Sequence, residues 1–197
     1  MNKILFAEII SFIFNPLIIL IPMPFFLVFE TTGNLFYSFQ WTALTLIFMF
    51  LFLIFVLFGI KKGFFSDLDV SKRKQRTPLF LSGIILTLIY LCVLYYLRAP
   101  TILLIGGTSI ILALSVFELV NKFIKASVHI ATLSAFLTFF VLVEGWIYLP
   151  SFILIPLVAW SRIKTKNHSP REVAVGFSLG VLLTIFIFAI FKYIIHV

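Results

Sequence analysis

The sequence predicts an all-α fold, a polytopic membrane helical bundle of six or seven transmembrane helices that makes one membrane-embedded domain over residues 1–197. Three observations predict it. The chain is 62% hydrophobic and only 11% charged, against about 45–50% apolar usage in a soluble domain. Its mean hydropathy is +1.22. Its apolar residues form runs over 4–29, 37–60, 78–97, 101–120, 129–144, 148–163 and 172–195, and a bilayer core about 30 Å thick takes about 20 such residues per helix. The runs are too long and too evenly apolar for barrel strands, which alternate at period two. Only helices then satisfy the backbone in lipid.

The first run opens "MNKILFAEIISFIF". Lys3 before an apolar stretch resembles a signal sequence, but the stretch runs on without a small-residue cleavage site, so it reads as a retained span. Pro16, Pro22 and Pro24 lie within it, so a broken or re-entrant segment followed by six spans is the other reading. The run 37–60 is an unbroken span. In 78–97, Cys92 sits in "LIYLCVLYYL" and reads as a buried small apolar residue. Near the end of 101–120, Glu118 and Lys122 stand i,i+4 and read as an ion pair. The short runs 129–144 and 148–163 are joined by "EGWIYLP", with Trp146 and Tyr148 placed for an interface. The last run carries Gly176 and Gly180, a GxxxG spacing that reads as close packing against a neighbouring helix. His196, at the tail, reads as an interfacial residue.

Net charge is +8, yet the cations lie between apolar runs rather than on one soluble face, which excludes a nucleic-acid partner. On one side fall Lys3, Lys61, Lys62, Lys72, Arg73, Lys74, Arg76, Lys122, Lys125, Arg162, Lys164, Lys166 and Arg171; on the other, Arg98 and Lys192. The positive-inside rule places the crowded side in the cytoplasm. Asp67 and Asp69, amid cations and without further ligands, read as loop ion pairs rather than a metal site; no metal and no cofactor is expected.

Three polar segments share the basic side: "SDLDVSKRKQRTP", "KASVH" and "WSRIKTKNHSPREVAVG". They hold His129 and His168. "SPRE" reads as a helix start, with Ser169 as N-cap, Pro170 in the first turn and Glu172 closing a capping box. His168 then lies just before a helix N-terminus, whose free N–H groups and positive dipole end suit an anion. A neutral histidine can attack phosphorus, a second can protonate the leaving oxygen, and fixed cations can stabilise the equatorial oxygens. Glu172, four residues after His168, is placed to accept the Nδ1 proton and fix the tautomer.

"SRIKTKNHSPREVAVG" fits SRxxxxxHxxx(D/E)VxxG and so resembles the third signature of the type 2 phosphatidic acid phosphatase superfamily, which shares its site with vanadium haloperoxidases. "KASVH" resembles the second signature, PSGH, in Ser127 and His129, with Val128 where the family has Gly. "KRKQRTP" resembles the end of the first, KxxxxxxRP, with Asp69 at the lysine position and Thr77 before Pro78. The resemblance implies His168 as the nucleophile that becomes a phosphohistidine, Glu172 as its orienter, and His129 as the general acid. It implies Arg162, Arg76, Ser127 and Ser161 as phosphate-binding groups, with Lys72 or Arg73 as a further cation. If the Val128 turn required a positive φ, a β-branched residue would be strained there.

The expected activity is metal-independent hydrolysis of a lipid phosphate or polyprenyl (pyro)phosphate, a membrane lipid being the substrate. The alternatives are a phosphotransferase using the same site and a catalytically silent lipid-binding or transport protein. A homo-oligomer is compatible with the sequence, and the expected location is the cell membrane.

Overall fold

The computed structural model describes residues 2–195, so His196 lies outside the described residues. In chain order the helices are α1 (Lys3–Ile13), α2 (Pro16–Leu20), α3 (Met23–Thr32), α4 (Leu35–Lys61), α5 (Arg76–Tyr96), α6 (Thr101–Asn121), α7 (Val128–Glu144), α8 (Leu154–Lys164) and α9 (Pro170–Ile195). Two 3-10 segments, Arg73–Gln75 and Trp146–Ile153, precede α5 and α8. Among the described residues there is no strand. Among the described residues six segments are long and apolar enough to cross a membrane: Lys3–Leu20, Leu35–Lys61, Arg73–Tyr96, Thr101–Asn121, Trp146–Lys164 and Pro170–Tyr193. Val128–Glu144 is a shorter apolar helix. Large apolar side chains such as Phe12, Phe36, Phe50 and Ile85 are exposed on these helices, as lipid-facing positions require, and so is Cys92, which corrects the expectation that it is buried. The chain is a multi-pass, all-α membrane protein.

The first apolar run is broken, and its prolines do the breaking. Pro lacks an N–H and fits a helix only in its first turn. Pro16 therefore starts α2, where the Asn15 side chain accepts from the Leu17 N–H at 3.0 Å. Pro22 and Pro24 start α3. Gly33 closes α3 in the left-handed region (φ 63), and Asn34 caps α4 by accepting from the Tyr37 N–H at 3.0 Å.

The chain forms two compact units. The first comprises Met1–Ile19 and Ile124–Val197. Its core joins Ile10, Ile19, Ile130, Leu133, Leu137, Val158 and Val173. The GxxxG expectation is met here: a methyl group on Gly176 would stand 2.5 Å from the Ser127 carbonyl oxygen, and one on Gly180 would strike Ser134 and the Ala131 carbonyl. Hydrogen at both positions is what lets α9 lie against α7. The "EGWIYLP" connection differs from expectation, since from Trp146 it winds as a 3-10 helix containing Pro150. At about 2.0 Å per residue, those eight residues and the eleven of α8 together reach about 32 Å, enough for the bilayer core. The seventeen residues of α7 reach only about 25 Å.

The second unit is Leu20–Phe123. Val28, Trp41, Tyr90, Leu94 and Leu103 form one core cluster and Val56, Phe65 and Val70 another. Its 62–72 connection folds around Asp67, whose carboxylate accepts from the Ser66 hydroxyl (2.6 Å), the Ser71 hydroxyl (3.0 Å) and the Asp69 N–H (3.0 Å), and also from the Ser71 N–H. The expectation of an ion pair at Asp67 is thus corrected: hydroxyls and N–H groups hold it, because they lie within four residues and need no long side chain to be ordered. Partial burial pushes the Asp67 carboxyl up, but these four hydrogen bonds outweigh it and leave the group below the usual carboxylate range. Val70 is buried at φ 45, a rare conformation for a β-branched residue. The Glu118–Lys122 pair is also corrected. Glu118 accepts from the Thr77 hydroxyl at 3.0 Å, and Lys122 lies past the end of α6 with its side chain exposed.

Candidate active site

The spacing between Arg162 and His168 is that of a helix ending. The chain leaves α8 through a Schellman motif, in which the Lys166 N–H bonds the Ile163 carbonyl (3.0 Å) and the Asn167 N–H the Arg162 carbonyl (3.2 Å). Lys166 takes the left-handed conformation (φ 57) that this motif needs. The next N–H, that of His168, donates to the same Arg162 carbonyl at 3.2 Å. On the other side of the Asn167–His168 peptide, the Asn167 carbonyl accepts from Lys125 Nζ at 2.6 Å. Both polar groups of the peptide plane that enters His168 are therefore bonded.

The side chain is fixed as firmly. His168 Nδ1 lies 3.0 Å from Glu172 Oε2, with the imidazole only 1% exposed. The same oxygen accepts from the Ser169 N–H at 3.0 Å, while the Glu172 N–H reaches back to Ser169 Oγ at 3.4 Å. One carboxylate oxygen of Glu172 makes both contacts that its two sequence readings require, the capping-box bond to the Ser169 N–H and the bond to His168 Nδ1. A neutral His168 that donates its Nδ1 proton to Glu172 has its lone pair on Nε2.

The start of α7 joins this end of the unit. The Ser127 N–H donates to the Glu172 carbonyl at 3.0 Å, so the first turns of α7 and α9 are tied side by side. Their positive dipole ends are adjacent. Ser127 occupies the N-cap position in extended conformation without a side-chain cap. It is fully buried, and among the described residues its hydroxyl has no hydrogen-bond partner. His129, second residue of α7, is buried as well. Val128 has no positive φ and begins the helix, so the strain foreseen for a turn of the family's glycine type does not arise.

Arg162 is 1% exposed, and its guanidinium donates to Ser11 Oγ on α1. Ser161, also buried, donates to the Ala7 carbonyl at 2.8 Å, a bond that seats α1 on α8. Ser11 and Lys125 were not among the residues singled out from sequence. No local pattern marks Ser11, which lies more than 150 positions from its partner, and Lys125 looked like one topology-setting lysine among many.

The remaining predicted residues belong to the second unit. Arg76 is buried at the start of α5 and donates from Nε to the Val70 carbonyl at 3.1 Å. Lys72 and Arg73 are exposed, and Arg73 donates to the Phe123 carbonyl at 3.0 Å. The structure thus gathers His168, Glu172, His129, Arg162, Ser127 and Ser161 within one unit and Arg76, Lys72 and Arg73 within the other.

The chain matches no protein-family model, and no curated protein or solved structure matches it. The chemistry must be read from the site. A buried imidazole with its tautomer set by a carboxylate, two helix N-termini and a buried guanidinium form a setting suited to a tetrahedral anion.

Proposed function

We propose that the protein is a membrane phosphatase that removes the terminal phosphate of a lipid phosphate or polyprenyl pyrophosphate through a phosphohistidine. The observation that carries this reading is the His168–Glu172 contact, with the peptide plane before His168 bonded on both edges. A ring held at Nδ1 and by its entering peptide has little freedom to lose on attack, which supports Nε2 as the nucleophile. In the proposed reaction Nε2 attacks phosphorus, the bond to the leaving oxygen breaks, and that oxygen takes a proton from His129. Water, giving a proton back to His129, then attacks the phosphohistidine; the P–N bond breaks and phosphate leaves. Arg162, Ser127 and the first-turn N–H groups of α7 would stabilise the equatorial oxygens.

Depth supports a lipid substrate. The site lies where Trp146–Lys164 ends and Pro170–Tyr193 begins, two segments long and apolar enough to cross a bilayer, and the ends of such spans lie near the headgroup layer. The excess of Lys and Arg on the site's side supports a cytoplasmic orientation in the cell membrane. In a Cys92→Ala background, a cysteine in place of the exposed Lys164 should react with a membrane-impermeant thiol reagent only after the cells are opened; labelling of intact cells would refute that orientation.

The test is phosphate release from a panel of polyprenyl and glycerolipid phosphates by the purified protein in EDTA. Release by the wild type that is lost in His168→Ala is the expected result. Turnover only when a lipid or sugar alcohol is added would make the protein a phosphotransferase. Folded wild type that binds these lipids without turnover, with binding unaltered in His168→Ala, would make it a silent lipid-binding protein.

A further inference from the structure

The second unit carries a cluster of charge that the proposed reaction does not use. Its connection 62–72 folds back over the ends of its helices. The Ser66 N–H donates to Gln75 Oε1 at 3.0 Å, the Asn121 side chain to the Arg73 carbonyl at 3.2 Å, and Arg73 to the Phe123 carbonyl at 3.0 Å. The C-terminal ends of α4 and α6 and the N-terminal end of α5 are thereby joined at one face. Lys61, Lys62, Lys72, Arg73, Lys74 and Lys122 are all exposed there.

Two of the carboxylates within reach in sequence are engaged by hydroxyl groups: Asp67 by its own loop and Glu118 by Thr77. Among the described residues the ammonium groups of Lys61, Lys72, Lys74 and Lys122 have neither an ion-pair nor a hydrogen-bond partner, while Lys62 lies 5.7 Å from the Phe58 ring centre. Apolar side chains stand between these cations: Phe64 is 69% exposed, Leu68 56% and Phe123 85%. A purely aqueous face would leave both sets uncompensated. At the membrane interface, apolar groups enter the acyl boundary while ammonium groups meet phosphate. The depth agrees, since the 27 residues of α4 span about 40 Å, the thickness of the core plus the headgroup layers rather than of the core alone.

We infer that this face, at the ends of α4, α5 and α6, is a docking surface for anionic phospholipid headgroups of the leaflet in which it lies. The surface is rigid rather than a floppy polybasic tail, because the Asp67 hydrogen bonds and the buried Phe65 and Val70 fix the connection that displays Lys72, Arg73 and Lys74. A cation close to an anionic surface contributes up to about fivefold in affinity. The inference does not depend on turnover at His168.

The full-length protein would be equilibrated in micelles containing equal amounts of phosphatidylglycerol and phosphatidylcholine with identical chains, and the lipids it retains counted by native mass spectrometry. Wild type should retain severalfold more phosphatidylglycerol, the excess shrinking at high salt. A variant combining Lys61→Gln, Lys72→Gln, Lys74→Gln and Lys122→Gln should fall toward parity, and the same four positions changed to Arg should keep the preference. Should the fourfold Gln variant fail to fold, Lys72→Gln with Lys74→Gln must by itself reduce the excess several times over. No preference in the wild type at low salt, or a preference untouched by the Gln substitutions, would overturn the inference. Retention of a polyglutamate peptide through these lysines, without a lipid preference, would overturn it in favour of an acidic protein partner.

Discussion

Glu172 does two things with one oxygen, and the two can be separated by a single substitution. In Glu172→Gln the side-chain carbonyl can still accept from the Ser169 N–H, since Gln serves in a capping box as Glu does. What is lost is the negative charge beside His168 Nδ1, which in the proposed reaction would support the ring as it gains positive character. Phosphate release should fall about 10²- to 10⁴-fold, while thermal unfolding should report a stability change under about 1 kcal/mol. Equal loss of activity and of fold would show that Glu172 acts chiefly as a cap. Lys125, by contrast, acts at one remove: it holds the Asn167 carbonyl and thereby the direction from which His168 enters the site.

At the level of helices, the site depends on how closely α7 and α9 approach. The Ser127 N–H can reach the Glu172 carbonyl because Gly176, one turn further along α9, has no side chain. A Cβ there would meet backbone atoms of Ser127, at 2.5 Å from O and 3.1 Å from N, and backbone cannot swing aside as a side chain can. Gly176→Ala should therefore destabilise by about 1–3 kcal/mol and lower turnover even where the protein stays folded, with circular dichroism melts and phosphate release read side by side. An unchanged melting point would mean that the two helices can separate freely. The 62–72 connection makes a different prediction. Its Asp67 carboxyl titrates below its unfolded value of 3.8, so it stabilises the folded protein fully above that value and loses the contribution as pH falls through the lower, folded pKa. Asp67→Asn should flatten the acid limb of the stability profile, as measured by melting temperature in buffers across the acidic range.

Across the whole molecule, what could be read from sequence was what is local. The membrane class followed from composition. The capping box at Ser169–Glu172, the His168–Glu172 spacing and the close-packing glycines Gly176 and Gly180 are all written within a few residues of one another, whereas the partner helix α7 is not. The prolines marked the first run as interrupted but left open whether it was one span; the structure ends α1 before Pro16 and starts α3 at Pro22–Pro24. Non-local contacts left no trace. Ser11 meets Arg162 only because α1 packs on α8, and Lys125 reaches Asn167 only because two loops meet. Asp67 was misjudged because four nearby hydrogen-bond donors outcompeted the more conspicuous lysines, and Glu118 because Thr77 of another helix reaches it. At this scale the account also makes the substrate a lipid: long-chain phosphates should be hydrolysed far better than the same headgroups on soluble, short-chain alcohols, and the reverse order in a turnover comparison would place the site in water rather than at headgroup depth.

The central claim is that His168 carries the phosphoryl group. The most direct measurement is to mix the protein with a lipid phosphate labelled in its phosphorus, denature it within the first turnover at alkaline pH, where phosphohistidine survives, and map the label by peptide mass spectrometry. The account predicts label on His168 and none in His168→Ala. Steady release of phosphate with no label on any histidine, or label on His129 instead, would contradict it.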